Sequence, residues 1–286
     1  GSLEQTTIEL LRKSGWRISV DGRSYIPSVD DSALSLRMMR PQEMPRYIAD
    51  GVLDAGITGS DWIVENDVDL VEVEKFIYSK VSLKPTRWVL VVPESSPIRR
   101  MEDLEGKRIA TEMIAFTRRV FSQRKINVDV EFSWGATEAK AADGLVDAIV
   151  EVTETGSSLR ANKLRVVEEL LTSSPVLVAN RDAWVDSWRQ SKIRQIGVLM
   201  RAALDAENRV GLKLNVAKKN LEKVIAVLPS ITAPTISQLY PSAALKGEEW
   251  VAVETVISEQ MVRELFPRLL DAGAIGLVEY PLNKII

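Results

Sequence analysis

The chain has 286 residues, enough for two or three modest domains, and its 45% hydrophobic and 27% charged content is that of an ordinary soluble globular protein. A formal net charge of −3 gives no global attraction to nucleic acid. With no cysteine and no histidine, disulfides, thiolate nucleophiles, imidazole catalysis and Cys- or His-bound metal are excluded; chemistry must use carboxylates, amines, guanidinium groups, hydroxyls and backbone, and a metal would be a hard ion such as Mg²⁺ held by oxygens.

In chain order, Leu3 to Ser14 reads as a helix with Ser2 as N-cap and Gly15 as its stop. A helix at the first residues, in a chain that otherwise alternates strand and helix, suggests a strand and loop before Gly1. No run approaches transmembrane length and the start has no signal-peptide core, so a cytoplasmic protein with no membrane partner is expected. Ser35 to Met39 is expected as a short strand with Arg40 at its end, and RPQEMPRYIADG as a loop entering a helix, with Pro41 in the first turn and Gly51 at the close. LDAGITGSDWIVEN gives a strand, a glycine turn and a helix, with Thr58, Gly59, Ser60 and Asp61 placed as a small cradle of backbone N–H groups.

Val71 to Phe76 and Arg87 to Pro93 are predicted strands, the second apolar enough to be buried on both faces. EDLEGKRIATE then restarts the pattern, MIAFTRRVFSQRKI is helical by its apolar spacing, and Glu131 to Trp134 is a short strand. Trp134, Gly135 and Ala136 are candidates to line a cleft, with packing the favoured role for Trp134. Leu164 to Leu171 and Pro175 to Asn180 are strands, and residues 181–209 read as one long helix that packs back onto the first lobe. Past Asn208 the order strand, helix, strand, strand, helix, strand is the split βαβ, ferredoxin-like pattern, punctuated by Pro229, Gly247 and Gly273.

The most informative stretch is Val146 to Leu159, VDAIVEVTETGSSL. Val146, Ala148, Val150 and Val152 read as a buried strand face, with Asp147 and Glu151 on the other face. Thr155, Gly156, Ser157 and Ser158 then open a helix, where unpaired N–H groups and hydroxyls suit a phosphate, while an acid four positions before the Thr-Gly suits the hydroxyls of a sugar. A simple N-cap and turn explains the same residues equally well when they are taken alone.

Several stretches in one order carry a family resemblance: RPQEMPRYIADGVLDAGITGSDWI, KRIATE with FTRRVF, WGATEAKAADGLVDAIVEVTETGSSLRAN, TAPTISQL and GAIGLVEYPLNKII. Together they resemble ATP phosphoribosyltransferase of the long, self-regulated form, which opens histidine biosynthesis. The resemblance implies transfer of the phosphoribosyl group of phosphoribosyl pyrophosphate to N1 of ATP, with Mg²⁺ and release of pyrophosphate. It implies an α/β fold with two lobes like those of periplasmic binding proteins, here lobe I at 1–88 and 168–207 and lobe II at 89–167, followed by a ferredoxin-like (ACT-like) domain at 208–286. That last domain is expected to bind histidine as feedback inhibitor, through Asn215, Thr235 and Ser237. A homo-oligomer, dimer or hexamer, is implied as well.

By the same resemblance, Glu151 and Glu154 to Ser158 form the phosphoribosyl loop, with Asp147 preceding it. Arg40, Arg118 and Arg119 are expected to take up pyrophosphate charge, Thr58, Gly59, Ser60 and Asp61 to help bind nucleotide or pyrophosphate, and Glu151 and Arg40 to be the catalytic pair. The family's lysine in a Pro-Lys-Gly-Ser pattern falls before this sequence, of which Gly1 and Ser2 match the end, and Val150 stands where the wider phosphoribosyltransferase fingerprint has a second acid. Two other readings remain open on the residues: a two-lobed solute-binding protein, and a catalytically dead paralogue that keeps the fold for assembly.

Overall fold

The computed structural model describes residues 2–22, 24–76, 85–229, 233–240 and 248–286; Gly247 and the residue before Ser2 lie outside them. By contacts the chain divides into Gly1–Glu9 with Arg17–Gly197, and Leu10–Trp16 with Val198–Ile286.

Helix α1 (Ser2–Ser14) ends at Gly15, whose φ of +121° and N–H to the Arg12 carbonyl make the expected stop. Strands β1 (Ile18–Ser19) and β2 (Ser28–Val29) form a minimal antiparallel pair. Residues 35–39, expected as a strand, belong to no ladder, so Arg40 follows irregular chain instead of closing a strand. Helix α2 (Met44–Ala49) takes Pro45, not Pro41, in its first turn, where a missing N–H costs no helical bond.

Strands β3 (Ala55–Gly59) and β4 (Val71–Lys75) flank helix α3 (Ser60–Asn66) and pair antiparallel with β10 (Pro175–Ala179), giving a three-stranded sheet of order β3-β10-β4. The second lobe is built on β5 (Thr86–Pro93), β6 (Arg108–Thr111), β7 (Asp129–Phe132), β8 (Ala148–Thr153) and β9 (Leu164–Ser173), in the order β7-β6-β8-β5-β9. The expected lobe borders at 88 and 168 fall inside β5 and β9, which pair with each other along their length.

Alternation along β5 feeds two cores. Trp88, Leu90 and Val92 join Met113, Phe121 and Val150 on one face; Val89 and Val91 join Ile149, Leu159 and Leu164 on the other. Truncating a fully buried leucine such as Leu90 in such a setting costs about 2–5 kcal/mol. Strand β8 is likewise buried on both faces at Ala148–Val150, whereas Val152, expected in the core, is exposed. Helices α4 (Ile114–Gln123), α5 (Thr137–Ala142) and α6 (Ser157–Ala161) connect these strands.

The expected long helix is two: α7 (Arg181–Val185), capped by the Asn180 side chain, and α8 (Ser187–Asp205), separated by an extended Asp186. Gly197 of α8 lies against Glu74 and Leu177, so α8 packs on the three-stranded sheet.

The second unit contains β11 (Arg209–Ala217), α9 (Leu221–Val227), β12 (Thr235–Gln238), β13 (Trp250–Ser258), α10 (Val262–Asp271) and β14 (Ala274–Pro281). Its antiparallel sheet, ordered β12-β13-β11-β14, is the ferredoxin-like arrangement. Leu212, Leu214, Val253, Leu265 and Leu269 form the core between sheet and helices.

Candidate active site

Strands β6, β7 and β8 run parallel, so their carboxyl ends open on one edge of the sheet, where open α/β sheets bind ligands. Glu112 follows β6, Trp134 lies just past β7, and Glu151 leads to the turn after β8.

In that turn Gly156 takes φ +70°, a conformation that only glycine adopts without strain, and its N–H donates to Thr153 Oγ1 at 2.9 Å. Thr155 Oγ1 donates to Ser157 Oγ at 3.0 Å, and Ser158 Oγ to the Glu138 carboxylate at 2.6 Å. Thr155, Ser157 and Ser158 are exposed to solvent while Leu159 anchors α6 in the core. Arg160, a residue that sequence reasoning missed, reaches back to the Thr155 carbonyl at 3.0 Å and brings a cation to the turn. Its spacing after Gly156, one helical turn on, was the available signal.

Glu151 is half-buried, and its Oε1 accepts the Val152 N–H at 3.1 Å. Burial first, then the neighbouring Glu138 charge, push its carboxyl up to about 7, with Glu112 adding to the rise and the Val152 N–H and Thr137 hydroxyl opposing it. A carboxylate so placed gains from any cationic group that arrives beside it. Asp147 does not share this site. It precedes the amino end of β8, where Oδ2 accepts the Arg108 N–H at 2.9 Å and Oδ1 pairs with Lys107 at 3.5 Å. Asp147 and Glu154 are seven positions apart, about 23 Å of extended chain, so the two ends of β8 have different jobs.

Beside this edge lies a cavity of about 240 Å³ lined by Arg40, Gln42, Trp62, Glu112, Phe132 and Trp134, with Glu65 and Asn66 behind. The Arg40 guanidinium stacks over the Trp134 ring at 4.4 Å, and Phe132 meets the same ring edge-on at 6.0 Å. Trp134 is 66% exposed, so it forms the rim of the cavity instead of the packing role expected for it. Burial pushes the Glu112 carboxyl above its ordinary value, while a hydrogen bond from Gln42 and the Arg40 charge hold it down. Asn66 Nδ2 donates to the carbonyls of Gln42 at 2.9 Å and Trp62 at 2.8 Å, fixing the loop that carries Arg40 and Gln42.

Thr58, Gly59, Ser60 and Asp61 are spent internally. Thr58 is fully buried and donates to the Pro41 carbonyl at 2.8 Å. The Ser60 hydroxyl lies 3.4 Å from Ser173 Oγ and accepts the Ser174 N–H at 3.2 Å. Asp61 is 6% exposed; Oδ2 accepts the Trp88 indole N–H at 2.7 Å and Oδ1 the Trp62 N–H at 3.0 Å. Gly59 has no room for a Cβ, which would meet Asp61 Oδ1 at 2.1 Å. The expected cradle is a knot tying α3 to β5 and to the chain between β9 and β10.

Arg118 and Arg119 also lie elsewhere. Arg118 donates to the Val130 carbonyl at 3.2 Å, and Arg119 to the Val64 carbonyl at the end of α3. Next to that contact, Glu65 accepts the N–H groups of Ala115 at 3.0 Å and Phe116 at 2.8 Å, so a carboxylate from α3 caps α4.

In the second unit Asn215, Ala252 and Ser237 lie opposite one another across β11, β13 and β12, and Thr235 is two residues from Ser237. Cross-strand partners share a face, so the three polar residues project from one side of the sheet, with Leu214 and Val216 turned to the core on the other.

Residues 40–202 match the ATP phosphoribosyltransferase family and residues 206–284 the family described as HisG, C-terminal domain. Among similar proteins are ATP phosphoribosyltransferase of Trichlorobacter lovleyi and ATP phosphoribosyltransferase 1 of Geobacter sulfurreducens, each 53% identical over 100% of this chain and 96% of the relative. A solved structure, the ATP phosphoribosyl transferase (HisG:HisZ) complex from Thermotoga maritima, is similar over 70% of this chain and 94% of that one, with 26% identity and a TM-score of 0.60. The chain belongs to the ATP phosphoribosyltransferase family, with both the catalytic region and the C-terminal domain of its long form.

Proposed function

We propose that the edge formed by Glu151, Glu154 to Ser158 and the Arg40–Trp134 cavity is where this enzyme moves the phosphoribosyl group of phosphoribosyl pyrophosphate onto N1 of ATP. The observation that carries this placement is Glu151: a half-buried carboxylate at the carboxyl end of β8, directly before an exposed hydroxyl turn. The 5′-phosphate is held by the turn, through the hydroxyls of Thr155, Ser157 and Ser158 and the Arg160 cation. Glu151 accepts hydrogen bonds from the ribose hydroxyls and favours the cationic sugar that develops as the bond from C1′ to pyrophosphate breaks. The aromatic cavity takes the adenine, and Arg40 stands beside it as a countercharge for phosphates. Placement of two reactants accounts for most of the catalytic gain, since N1 already carries the attacking lone pair.

The family uses a divalent metal, and we infer Mg²⁺. Among the described residues no group of three or more acidic side chains forms a metal cage. The oxygen-only donors suit a hard ion that keeps its waters and binds mainly through substrate phosphates, with Glu151 and Glu138 to hold its hydration shell. When bound, such an ion takes up charge on the departing pyrophosphate.

Catalysis is assigned to residues 1–207 and histidine response to 208–286, through the row Asn215, Thr235 and Ser237 on the open sheet face. A homo-oligomer, dimer or hexamer, is supported by the exposed edge strand β12, which presents Ile236 to solvent. No helix among the described residues is long and apolar enough to cross a membrane, and a cytoplasmic site is the natural one for this chemistry.

The test is formation of phosphoribosyl-ATP from ATP and phosphoribosyl pyrophosphate with Mg²⁺, with and without histidine. Asn215→Ala should retain turnover while histidine inhibition weakens by about tenfold or more. Inhibition that survives unchanged would move the effector site elsewhere.

A further inference from the structure

The family's chemistry leaves one proton without an assigned destination. When N1 of adenine bonds to C1′, its lone pair forms the new bond, the C1′–O bond breaks, and pyrophosphate leaves with that electron pair. The purine ring then carries a positive charge, which is relieved by loss of a proton from the exocyclic amino group on the adjacent carbon. We propose that the carboxylate of Glu112 accepts a hydrogen bond from that amino group and takes its proton as the N1–C1′ bond forms.

This rests on reading the Arg40–Trp134 cavity as the adenine pocket. The cavity, about 240 Å³, is below the usual size for a whole nucleotide, and its walls include two indole rings and a phenyl ring, which suit one flat heterocycle. Three acids line it, and two are otherwise placed. Glu65 has both oxygens occupied by the Ala115 and Phe116 N–H groups. Glu43 is exposed just ahead of α2. Glu112 is half-buried at the carboxyl end of β6, oriented by the Gln42 amide, with Arg40 as its nearby cation.

Position supports the assignment a second time. Thr111, just before Glu112, pairs with Val150, just before Glu151, so the acid at the cavity and the acid assigned to the ribose follow neighbouring positions on adjacent parallel strands. An acid at the base and an acid at the sugar must lie this near, because one N1–C1′ bond joins base and sugar in the product. The buried setting of Glu112 also raises its hold on a proton, which a group that must accept one near neutral pH requires.

The experiment compares ATP with purine riboside 5′-triphosphate, which lacks the amino group, by titration calorimetry on the full chain and on Glu112→Gln, Glu112→Ala and Trp134→Ala. Turnover of ATP is measured alongside, and thermal melts check folding. Glu112→Gln keeps an acceptor but cannot take a proton, so it should retain much of the preference for ATP while kcat falls about 100-fold. Glu112→Ala should lose the preference, its two affinities coming within about threefold. Trp134→Ala should weaken both ligands together. A Glu112→Gln enzyme that turns over at the native rate, or a Glu112→Ala enzyme that keeps the native preference, overturns the role of Glu112. If Trp134→Ala leaves both affinities unchanged, the pocket reading fails instead, and the proposal with it.

Discussion

The chain contains the string Thr-Gly-Ser twice, each time between a strand and a short helix, and the two copies have opposite fates. At Thr58–Ser60 every polar side chain is turned inward: Thr58 to the Pro41 carbonyl, Ser60 to the chain at Ser173 and Ser174, and the following Asp61 to Trp88. At Thr155–Ser157 the hydroxyls stay at the surface and the following Ser158 bonds Glu138. The glycines differ as well. Gly59 has ordinary extended backbone and is required because Asp61 fills the space of a Cβ; Gly156 has open space on most sides and is required by its φ of +70°. One string thus serves as an internal tie or as an open turn, and the residue after it, an acid with a buried indole to meet or a serine with none, decides between them.

Substitutions can break or sharpen that contrast. The largest effect is expected at the open turn's acid: Glu151→Gln should lower kcat by about 10²–10³-fold while the fold persists, read by phosphoribosyl-ATP formation and circular dichroism. Unchanged kinetics would make Glu151 structural. The same variant has a pH signature. Its carboxyl is raised from 4.5 to about 7 in the folded protein, so the native state loses stability as pH rises through that window and carries the deficit above it. Glu151→Gln should therefore raise the melting temperature more at pH 8 than at pH 5.

Next in size, Asp61→Ala strips the Trp88 and Trp62 N–H groups of their acceptor and should cost about 2–4 kcal/mol in denaturant unfolding. KM for either substrate should move little once the variant is folded. A large KM rise without loss of stability would return Asp61 to the binding site. The smallest effect belongs to Gly156→Ala, for which left-handed backbone costs about 1 kcal/mol. Its activity defect should fall on KM for phosphoribosyl pyrophosphate, with KM for ATP near the native value.

The α/β alternation, the ferredoxin-like unit and the strand before TETGSS were legible because hydrophobic period and turn residues are local signals. What the sequence hid is tertiary. Asp147 and Glu151 share a strand face by spacing, yet spacing says nothing about which end of a strand meets a ligand, and Asp147 lies at the end of β8 opposite the hydroxyl turn. Thr58 and Asp61 read like cradle residues because only their burial distinguishes them. Arg118 and Arg119 carry the right charge, but their guanidinium groups are bonded to the Val130 and Val64 carbonyls and neither lines the cavity. Glu112, Gln42 and Trp134 come together from three loops distant in sequence, and their one visible cue was that Glu112 and Trp134 each follow a strand of a parallel set.

The cap that Glu65 places on α4 bears on where phosphates can settle. Helix α4 is twice as long as α6, and its start would rival the turn at Thr155 for an anion. That start already holds a carboxylate tethered through α3, a resident decoy at high local concentration. A phosphate arriving from solution would have to evict it, whereas the hydroxyls at Thr155 and Ser157 are exposed, so of the two helix starts on this edge of the sheet the chain's own acid closes one and leaves the other as the proposed phosphate site.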